Sequence, residues 1–550
     1  MFNSLSARRS NAAESGSRAV IPDPASRNQG CGTTPATSTS TPTNTPTTRD
    51  TTSGPKTRNP ASAARRGQGP RGGLLSTLGR LTGTTQAAEA KTAAEAADAK
   101  ADDAARRATF ARAVATTDLG AMRRNIRLGM AMIGAGPRPD YSDPDATEPK
   151  WIPGRRAAVV VKASGYGLDD KHGPGLDEKR VKVAMMALSE GIRDFFVASA
   201  EEAADLRAAF KAQRPDLAGD VAINMLDGIA PGEDLQYLIQ HRITPVLNSV
   251  DEVKMWNEAG QAANRKLPAI LQFDTGMTRA GIREKHVADL AEQWRSGQLP
   301  GLDIKMVMSH LSDSDDASAL EGSTLYEHVA GKKTQQQLEA FNRISEQFPG
   351  IDESIGASST VFLGKELHKD MVRMGATFHG QAPFGDEDHP LEPTLKIEAK
   401  IRQVDVAETG SQIGYGSNYT VKGEPELHGA IAWGYTEGAP RRSNGNKEGD
   451  PARPYVMVGT HKAEFIGSTS MDQSQIRLDG VPADLRKPGD MVTVLGDGIS
   501  VNQFSKMHGS GVSELNVKLG SRVARKYVDD NAPSVVGEAY VDPSPHAWKD

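Results

Sequence analysis

A single cysteine, Cys31, is present in a chain of 550 residues. One thiol leaves the folded part no disulfide framework and no thiolate metal site, which fits a reducing compartment and gives no reason to expect a metal. No apolar run approaches the roughly 18 residues that a membrane-spanning helix needs. The first 30 residues lack the apolar centre of a secretory signal. Aromatic residues make up only 5% and apolar residues only 37% of the chain, and the amino-terminal hundred residues explain the deficit. Thr33–Thr48 is Thr, Ser and Pro with one Ala and one Asn, a composition that cannot bury a core. Gly, Ser, Pro and Arg dominate as far as Thr85. From Gln86 to Val114 alanine takes over, interspersed with charged residues. Such a stretch favours helix by propensity but carries no wide apolar stripe. Residues 1–100 hold 13 Lys and Arg against 6 Asp and Glu, which leaves the other 450 residues at −12 if the whole chain is at −5. Dense basic clusters and interleaved aromatics are lacking, so a solvated tail is expected and no nucleic-acid arm.

Beyond that tail the most informative stretch is Ala157-Ala158-Val159-Val160-Val161-Lys162-Ala163-Ser164-Gly165-Tyr166-Gly167. Its five small or β-branched apolar residues show no alternation and read as a buried strand. A lysine at the end of such a strand is costly if charged; desolvated, it loses its proton readily and becomes a nucleophile. Gly165 and Gly167 allow a tight turn around Tyr166. A Schiff-base lysine at the carboxyl end of a barrel strand would be presented this way. The segment alone fits a lysine snorkelling at a strand end equally well.

From Asp118 to about Leu391, apolar runs such as Val221–Met225, Ala269–Phe273 and Ile304–Met308 alternate with helix-like stretches such as Glu201–Lys211 and Lys332–Gln347. That alternation predicts a parallel α/β barrel. After Glu392 the pattern becomes strands between Gly- and Pro-bounded turns: Leu395–Val404, His428–Trp433, Tyr455–Val458 and Met491–Leu495. A β-rich second domain is expected there. The expected organisation is a disordered or Ala-rich extension over 1–114, an α/β (β/α)8 TIM barrel over 115–391, a β domain over 392–530, and a flexible tail over 531–550.

The lysine segment is similar to the cofactor-binding motif of alanine racemases, and further matches follow in that family's order. They are Thr117–Asn125, Phe195–Arg207, Asp274–Arg279, Met308-Ser309-His310, Met371–Gly375, Gly434–Gly438, Ser470–Gln473 and Arg522–Arg525. Met371–Gly380 and Gly434–Asn444 lean toward the broad-specificity members. The resemblance spans roughly Thr116 to Tyr527. It implies a pyridoxal 5′-phosphate enzyme interconverting L- and D-amino acids, alanine by default, as a homodimer whose second domain completes the partner's site.

Racemisation removes an α-proton and returns one to the other face, so two bases are needed. The resemblance assigns them to Lys162 and to Tyr435 of the partner subunit. A phenol, with an ordinary pKa near ~10, needs assistance at neutral pH, and His310 matches the histidine that supplies it. Arg279 matches the residue that contacts the substrate carboxylate, a task suited to a guanidinium fork. Arg373 matches the arginine facing the cofactor's pyridine nitrogen, and Met471 the partner-chain residue that helps recognise the carboxylate. The phosphate is expected on Tyr166, Ser359, Gly375 and Ala376.

The chain departs from the family pattern at several positions. Gln272 stands in place of a lysine that becomes carbamylated, Ile355 in place of a histidine beside the pyridine-facing arginine, Ser358 in place of an asparagine, and Ser521 in place of a tyrosine. The linker from Gly134 to Arg156 is long. Two other readings share the scaffold: a pyridoxal-dependent decarboxylase, which would need a second-domain cysteine that this chain lacks, and a non-catalytic cofactor-binding or interaction protein. The Ser- and Arg-rich head, without an acidic residue before Glu14, resembles type III secreted effector signals and also fits an organellar transit peptide. Bacterial cytoplasm, delivery to a host cell and an organelle are the corresponding locations.

Overall fold

The computed structural model describes residues 109–136, 138–140, 150–152, 154–163, 178–315, 331–381, 389–440, 453–509, 512–530 and 544–548, with Arg106 and Phe384 besides. The amino-terminal extension with Cys31 and its targeting readings, and the turn containing Tyr166, lie outside the described residues.

Strand β1 (Ala113–Asp118) leads into helix α1 (Leu119–Ile133), where Asp118 accepts a hydrogen bond from Ala121 N–H as a side-chain cap. The linker that follows contains a short antiparallel pair, β2 (Arg138–Asp140) and β3 (Lys150–Ile152). Eight parallel strands come next: β4 (Arg156–Val160), β5 (Asp194–Val197), β6 (Ala222–Met225), β7 (Thr244–Leu247), β8 (Leu267–Gln272), β9 (Leu302–Met308), β10 (Asp352–Ser354) and β11 (Met371–Met374). Their order, β10-β9-β8-β7-β6-β5-β4-β11, is that of a barrel opened at one seam. Asp370 N–H donates to Glu353 O and Arg373 N–H to Gly356 O, both at 3.1 Å, and these bonds bridge the seam. Between the strands run α2 (Glu178–Ser189), α3 (Ala200–Gln213), α4 (Leu235–Gln240), α5 (Val250–Ala262), α6 (Val287–Arg295) and α7 (Lys332–Ser345).

Strands β5 to β8 are buried at every position, because helices cover one face and the barrel lumen the other. Ala158, Phe196, Val246, Ile270, Met306, Met308 and Met371 pack together as a separate inner cluster. The lumen is thus a packed core and no channel. Ser199 and Ser249 cap α3 and α5, each accepting the N–H of the glutamate three residues on. Both are sequence-local start signals with a physical cause: the serine oxygen satisfies a helix N–H that has no partner in the first turn.

The second domain is a ring of strands. Its members are β12 (Leu395–Ala407), β15 (Glu426–Ile431), β16 (Tyr455–Val458), β17 (His461–Ile466), β18 (Ser474–Arg477) and β19 (Met491–Leu495), after the small hairpin β13 (Gln412–Ile413) and β14 (Tyr419–Thr420). The long β12 pairs with β19 through its first half and with β15 through its second, past a register shift at Ile401/Gln403. That bend closes the six-stranded ring and leaves few free edges. Leu395, Ile397, Ala399 and Ile401 alternate into its core. Helices α8 (Val501–His508) and α9 (Val512–Lys518) follow, then β20 (Val523–Val528).

Two expected boundaries differ from the structure. The barrel was expected from residue 115, but β1 belongs to the second-domain sheet, antiparallel to β12 and parallel to β20. Its buried Ala113 and Ala115 alternate with half-exposed residues, the pattern of a strand with one covered face, unlike the barrel strands. The tail from 531 was expected to be flexible throughout, yet Ser544 and His546–Trp548 are buried against the barrel. Among the described residues no helix is long and apolar enough to cross a membrane.

Although α1 precedes β4 in the chain, it packs against β4, α2 and the turn Ser359–Phe362. Glu190, fully buried, fixes it there through Arg123 at 2.6 Å and Arg127 at 2.7 Å. Removing the carboxylate strands two guanidinium groups around a buried site. Glu190→Ala is therefore expected to destabilise the chain by about 3–5 kcal/mol, read as an earlier urea unfolding midpoint. An unchanged midpoint would show that α1 does not depend on this pair.

Candidate active site

The carboxyl ends of the barrel strands surround a cavity of about 510 Å³. Seven of the residues singled out from sequence line it: Lys162, Arg279, His310, Ser359, Arg373, Gly375 and Ala376. Gln272, Ser314, Ser358 and Gln381 share its walls. Tyr435 and Met471 do not line it; they lie on the second domain, 43% and 54% exposed.

Lys162 follows the buried end of β4. Burial holds its ammonium below the ordinary lysine value and Arg279 lowers it further, against the opposing pull of Asp227 and Glu202. That direction favours the free amine that a nucleophile or base requires. The backbone then turns sharply, with Ala163 at φ 53°, a left-handed conformation unfavourable for a residue with a Cβ. Glu202 pins this turn: its Oε1 accepts from Ala163 N–H and its Oε2 from Ala198 N–H, both at 2.8 Å. Arg180 stands 3.5 Å from the same carboxylate.

Arg373 is fully enclosed. Its guanidinium donates to Ser309 O at 2.7 Å, to Ser354 O at 3.1 Å, and to the Ser354 hydroxyl. Burial brings its pKa down to about 10, so it keeps its charge at neutral pH. With Ile355 in the neighbouring position, backbone carbonyls and one hydroxyl satisfy these donors. His310 is pushed down to about 3 by burial, then by the charges of Arg373, Arg279 and Lys162. It therefore works as a neutral imidazole. Gln337, on α7, donates to His310 O at 3.2 Å and accepts from Ser312 N–H at 3.0 Å, which ties the loop after β9 to a helix.

The hydroxyls of Ser314 and Ser359 lie 2.7 Å apart. Ser358 accepts from Gly375 N–H at 2.8 Å and from Thr377 N–H at 3.3 Å. Gln381 donates nothing to the protein through its buried Nε2, although that side chain reaches the cavity. An amine of lowered basicity, a cluster of hydroxyls, an idle amide donor and a buried cation suit a phosphorylated aromatic aldehyde. Pyridoxal phosphate fits this set.

Tyr435 and Met471 are brought together elsewhere. Tyr435 N–H donates to Ser470 O at 3.2 Å and Thr436 N–H to Met471 O at 3.0 Å. Gly434 makes the approach possible, since a Cβ there would meet Met471 O at 2.3 Å. Beneath them lies Glu437, wholly buried, accepting from Gly434 N–H at 3.0 Å and paired with Arg112 at 3.3 Å and Arg522 at 2.8 Å. The tyrosine is thus presented outward from a firm base.

Cavity, lysine and ring domain together define a barrel-type pyridoxal phosphate enzyme. The alanine racemase N-terminal domain family matches residues 149–383 and the alanine racemase C-terminal domain family matches residues 394–527. A catabolic alanine racemase of Rhizobium johnstonii is 32% identical over 372 residues, 68% of this chain and 88% of its own. One from Mesorhizobium japonicum is 33% identical over 416 residues, 76% and 93% respectively. The solved structure of alanine racemase from Bartonella henselae, with covalently bound pyridoxal phosphate, is 28% identical with a TM-score of 0.62, covering 76% of this chain and all of that one. The chain belongs to the alanine racemase family and is a pyridoxal-phosphate-dependent racemase.

The roles of Glu202, Gln337, Ser309 and Ser354 were not read from sequence. Only Glu202 carried a local signal, the Ser199-x-x-Glu202 spacing of a capping box; here the glutamate turns to the lysine loop instead. Glu202→Ala should release Ala163 and lower kcat by about a hundredfold, the cost of a small misplacement of a reacting group. Steady-state kinetics beside a thermal melt would check this, and an unchanged kcat would remove Glu202 from the site. For His310, NMR of the ring should show the neutral form throughout about pH 5 to 8; a titration within that window would contradict its burial.

Proposed function

We propose that the chain interconverts L- and D-alanine, with Lys162 and Tyr435 of the partner subunit as bases on opposite faces of the substrate. Alanine as substrate is supported by the relatives, which are alanine racemases. The single observation that carries the division of labour is the separation of Lys162, inside the cavity, from Tyr435, exposed on the second domain and absent from the cavity lining. A homodimer brings the two together.

Pyridoxal phosphate, when bound, supplies an electron sink for the carbanion left by the departing α-proton. Lys162, Ser359, Gly375 and Ala376 would hold it, with Arg373 toward its ring nitrogen. The fixed charge of Arg373 disfavours a proton there and so moderates electron withdrawal, which limits side reactions such as transamination. Lys162, of lowered basicity, takes or returns the α-proton on one face. Tyr435 of the partner subunit does so on the other, assisted by neutral His310, a partner that accepts or donates a hydrogen bond without adding charge. Arg279 holds the substrate carboxylate, and Met471 of the partner subunit adds recognition. A mere cofactor carrier has no use for a second base, and the firm seating of Tyr435 on Glu437 speaks for the enzyme.

The test is α-proton exchange in heavy water with L-alanine, followed by NMR and chiral chromatography. Lys162→Ala and Tyr435→Phe should each lose about 10²–10⁴-fold in rate. Mixing the two inactive proteins should then restore up to about a quarter of the activity, because half of randomly paired dimers carry one intact site. No exchange by the wild type would sink the reading. Full loss in both variants without recovery on mixing would place both bases in one subunit.

A further inference from the structure

The end of the barrel opposite the cavity is also occupied. Arg156, Asp194, Thr244 and Asp352 are the first residues of β4, β5, β7 and β10, so their side chains ring the floor. Ser544–Trp548 sits on this ring. Ser544 N–H donates to Asp220 O and its hydroxyl to Asp194 Oδ1, both at 2.8 Å. His546 places Nδ1 3.2 Å from Asp194 and Nε2 3.0 Å from Asp352. Trp548 donates from Nε1 to Thr244 Oγ1 at 3.0 Å, and the Arg265 guanidinium lies 5.2 Å over its ring. His546 and Trp548 are 2% and 5% exposed, as little as residues of the core. None of these groups takes part in racemisation.

We propose that the barrel floor is a peptide-binding site whose occupant is the chain's own Ser544–Trp548 segment, and that this clasp tightens as pH falls. The seat identifies the occupant: five polar contacts and a buried indole serve five residues. The pH dependence follows from hydrogen-bond chemistry. Carboxylates only accept, and a neutral imidazole can donate from one ring nitrogen alone, so donating to both carboxylates takes the doubly protonated ring, whereas a neutral ring donates to Asp194 alone and accepts at Nε2 from Arg156. The opposing group is Arg156, 3.0 Å from Nε2; it is itself paired with Asp352 at 2.6 Å and stands 3.7 Å from Asp194. Two carboxylates face one guanidinium, and the balance favours the charged ring.

Burial pulls His546 down, but its hydrogen bonds to Asp194 and Asp352 outweigh this and hold it above the ordinary imidazole value. Burial likewise pushes Asp352 up, yet His546 and Arg156 bring it to about 2. A raised imidazole stabilises fully below its unfolded value and loses that contribution as pH rises through its folded one. A depressed carboxylate stabilises above its unfolded value and loses it as pH falls through about 2. The clasp is therefore tightest between the unfolded values of the two groups, roughly 4 to 6.5, and loosens toward alkaline pH.

The full-length holoenzyme, His546→Ala and Trp548→Ala would be compared by thermal melting and by amide hydrogen exchange at Asp194–Val197 and Thr244–Leu247, near pH 6 and pH 8.5. The His546 ring would be titrated by NMR in the wild type. Expected are a lower melting temperature for His546→Ala near pH 6 that narrows toward the wild type near pH 8.5, and a lower one for Trp548→Ala at both. Exchange in both variants should be faster by about tenfold or more, with racemase rates at room temperature unchanged. Melting and exchange equal to the wild type in both variants would overturn the clasp. A ring titrating at or below the ordinary imidazole value would overturn its pH dependence. Protection that rises with protein concentration would assign the occupant to a second copy, and so overturn the intramolecular assignment.

Discussion

A guanidinium without water must have its donors met, and in this chain meeting those of Arg373 also draws the barrel together. The ladder of parallel strands is continuous from β10 round to β11 but does not cross from one to the other. Arg373, on β11, reaches the carbonyl of Ser354 at the end of β10 and that of Ser309 just past β9. One side chain thus ties three strand ends at the open seam. A charged hydrogen bond of this kind contributes about 1.5–3 kcal/mol, and far more is lost if a donor is left bare. The same cation adds to the burial that keeps His310 neutral, and it lines the cavity. Closure of the fold and electrostatics of the site are one arrangement, which explains how Ile355 can occupy its position without leaving the arginine loose.

On the proposed division of labour the two bases sit on two bodies, and each body prepares its part separately. Within the barrel, strain at Ala163 is borne by Glu202, so the lysine is held by its backbone as well as by its surroundings. Within the ring domain, buried Glu437 gathers Arg112, Arg522 and Gly434 N–H beneath Tyr435. Neither acid touches the cavity. Both convert a loop into a fixed support, which matters because positioning is worth several kcal/mol of a reaction barrier.

How much of this could be read in advance depended on the range of the interactions. Runs such as Ala269–Phe273 are buried along their whole length and, Gln272 apart, apolar, because both strand faces are covered; that pattern is local, so the barrel is legible. Lys162 at the end of such a run was legible for the same reason, and the order of motifs along the chain identified the cavity residues. The sheet that takes β1 is not legible because its partners, β12 and β20, lie hundreds of residues further on, and the small residues of Ala-Val-Ala-Thr-Thr give no hint of which sheet will take them. Ser544–Trp548 was read as flexible because five residues have no periodicity; only the floor of a folded barrel gives His546 and Trp548 something to bind. Glu202 looked like an ordinary helix-start residue, and its second task exists only once α3 stands beside β4.

The position of β1 has a consequence for biogenesis. Its register partners on β12 are Leu395 to Ala399, so the whole barrel is synthesised between two strands that must lie side by side. At about 5–20 residues per second this interval lasts on the order of tens of seconds. During that time the barrel can close, while β1 remains an unpaired strand tethered to α1 at its rim. The ring domain thus docks through β12 onto a strand that has been waiting since the start, and β20 pairs along that strand's other edge last. A nascent chain stalled in the middle would hold a finished barrel that carries an open strand edge, the kind of surface that chaperones bind.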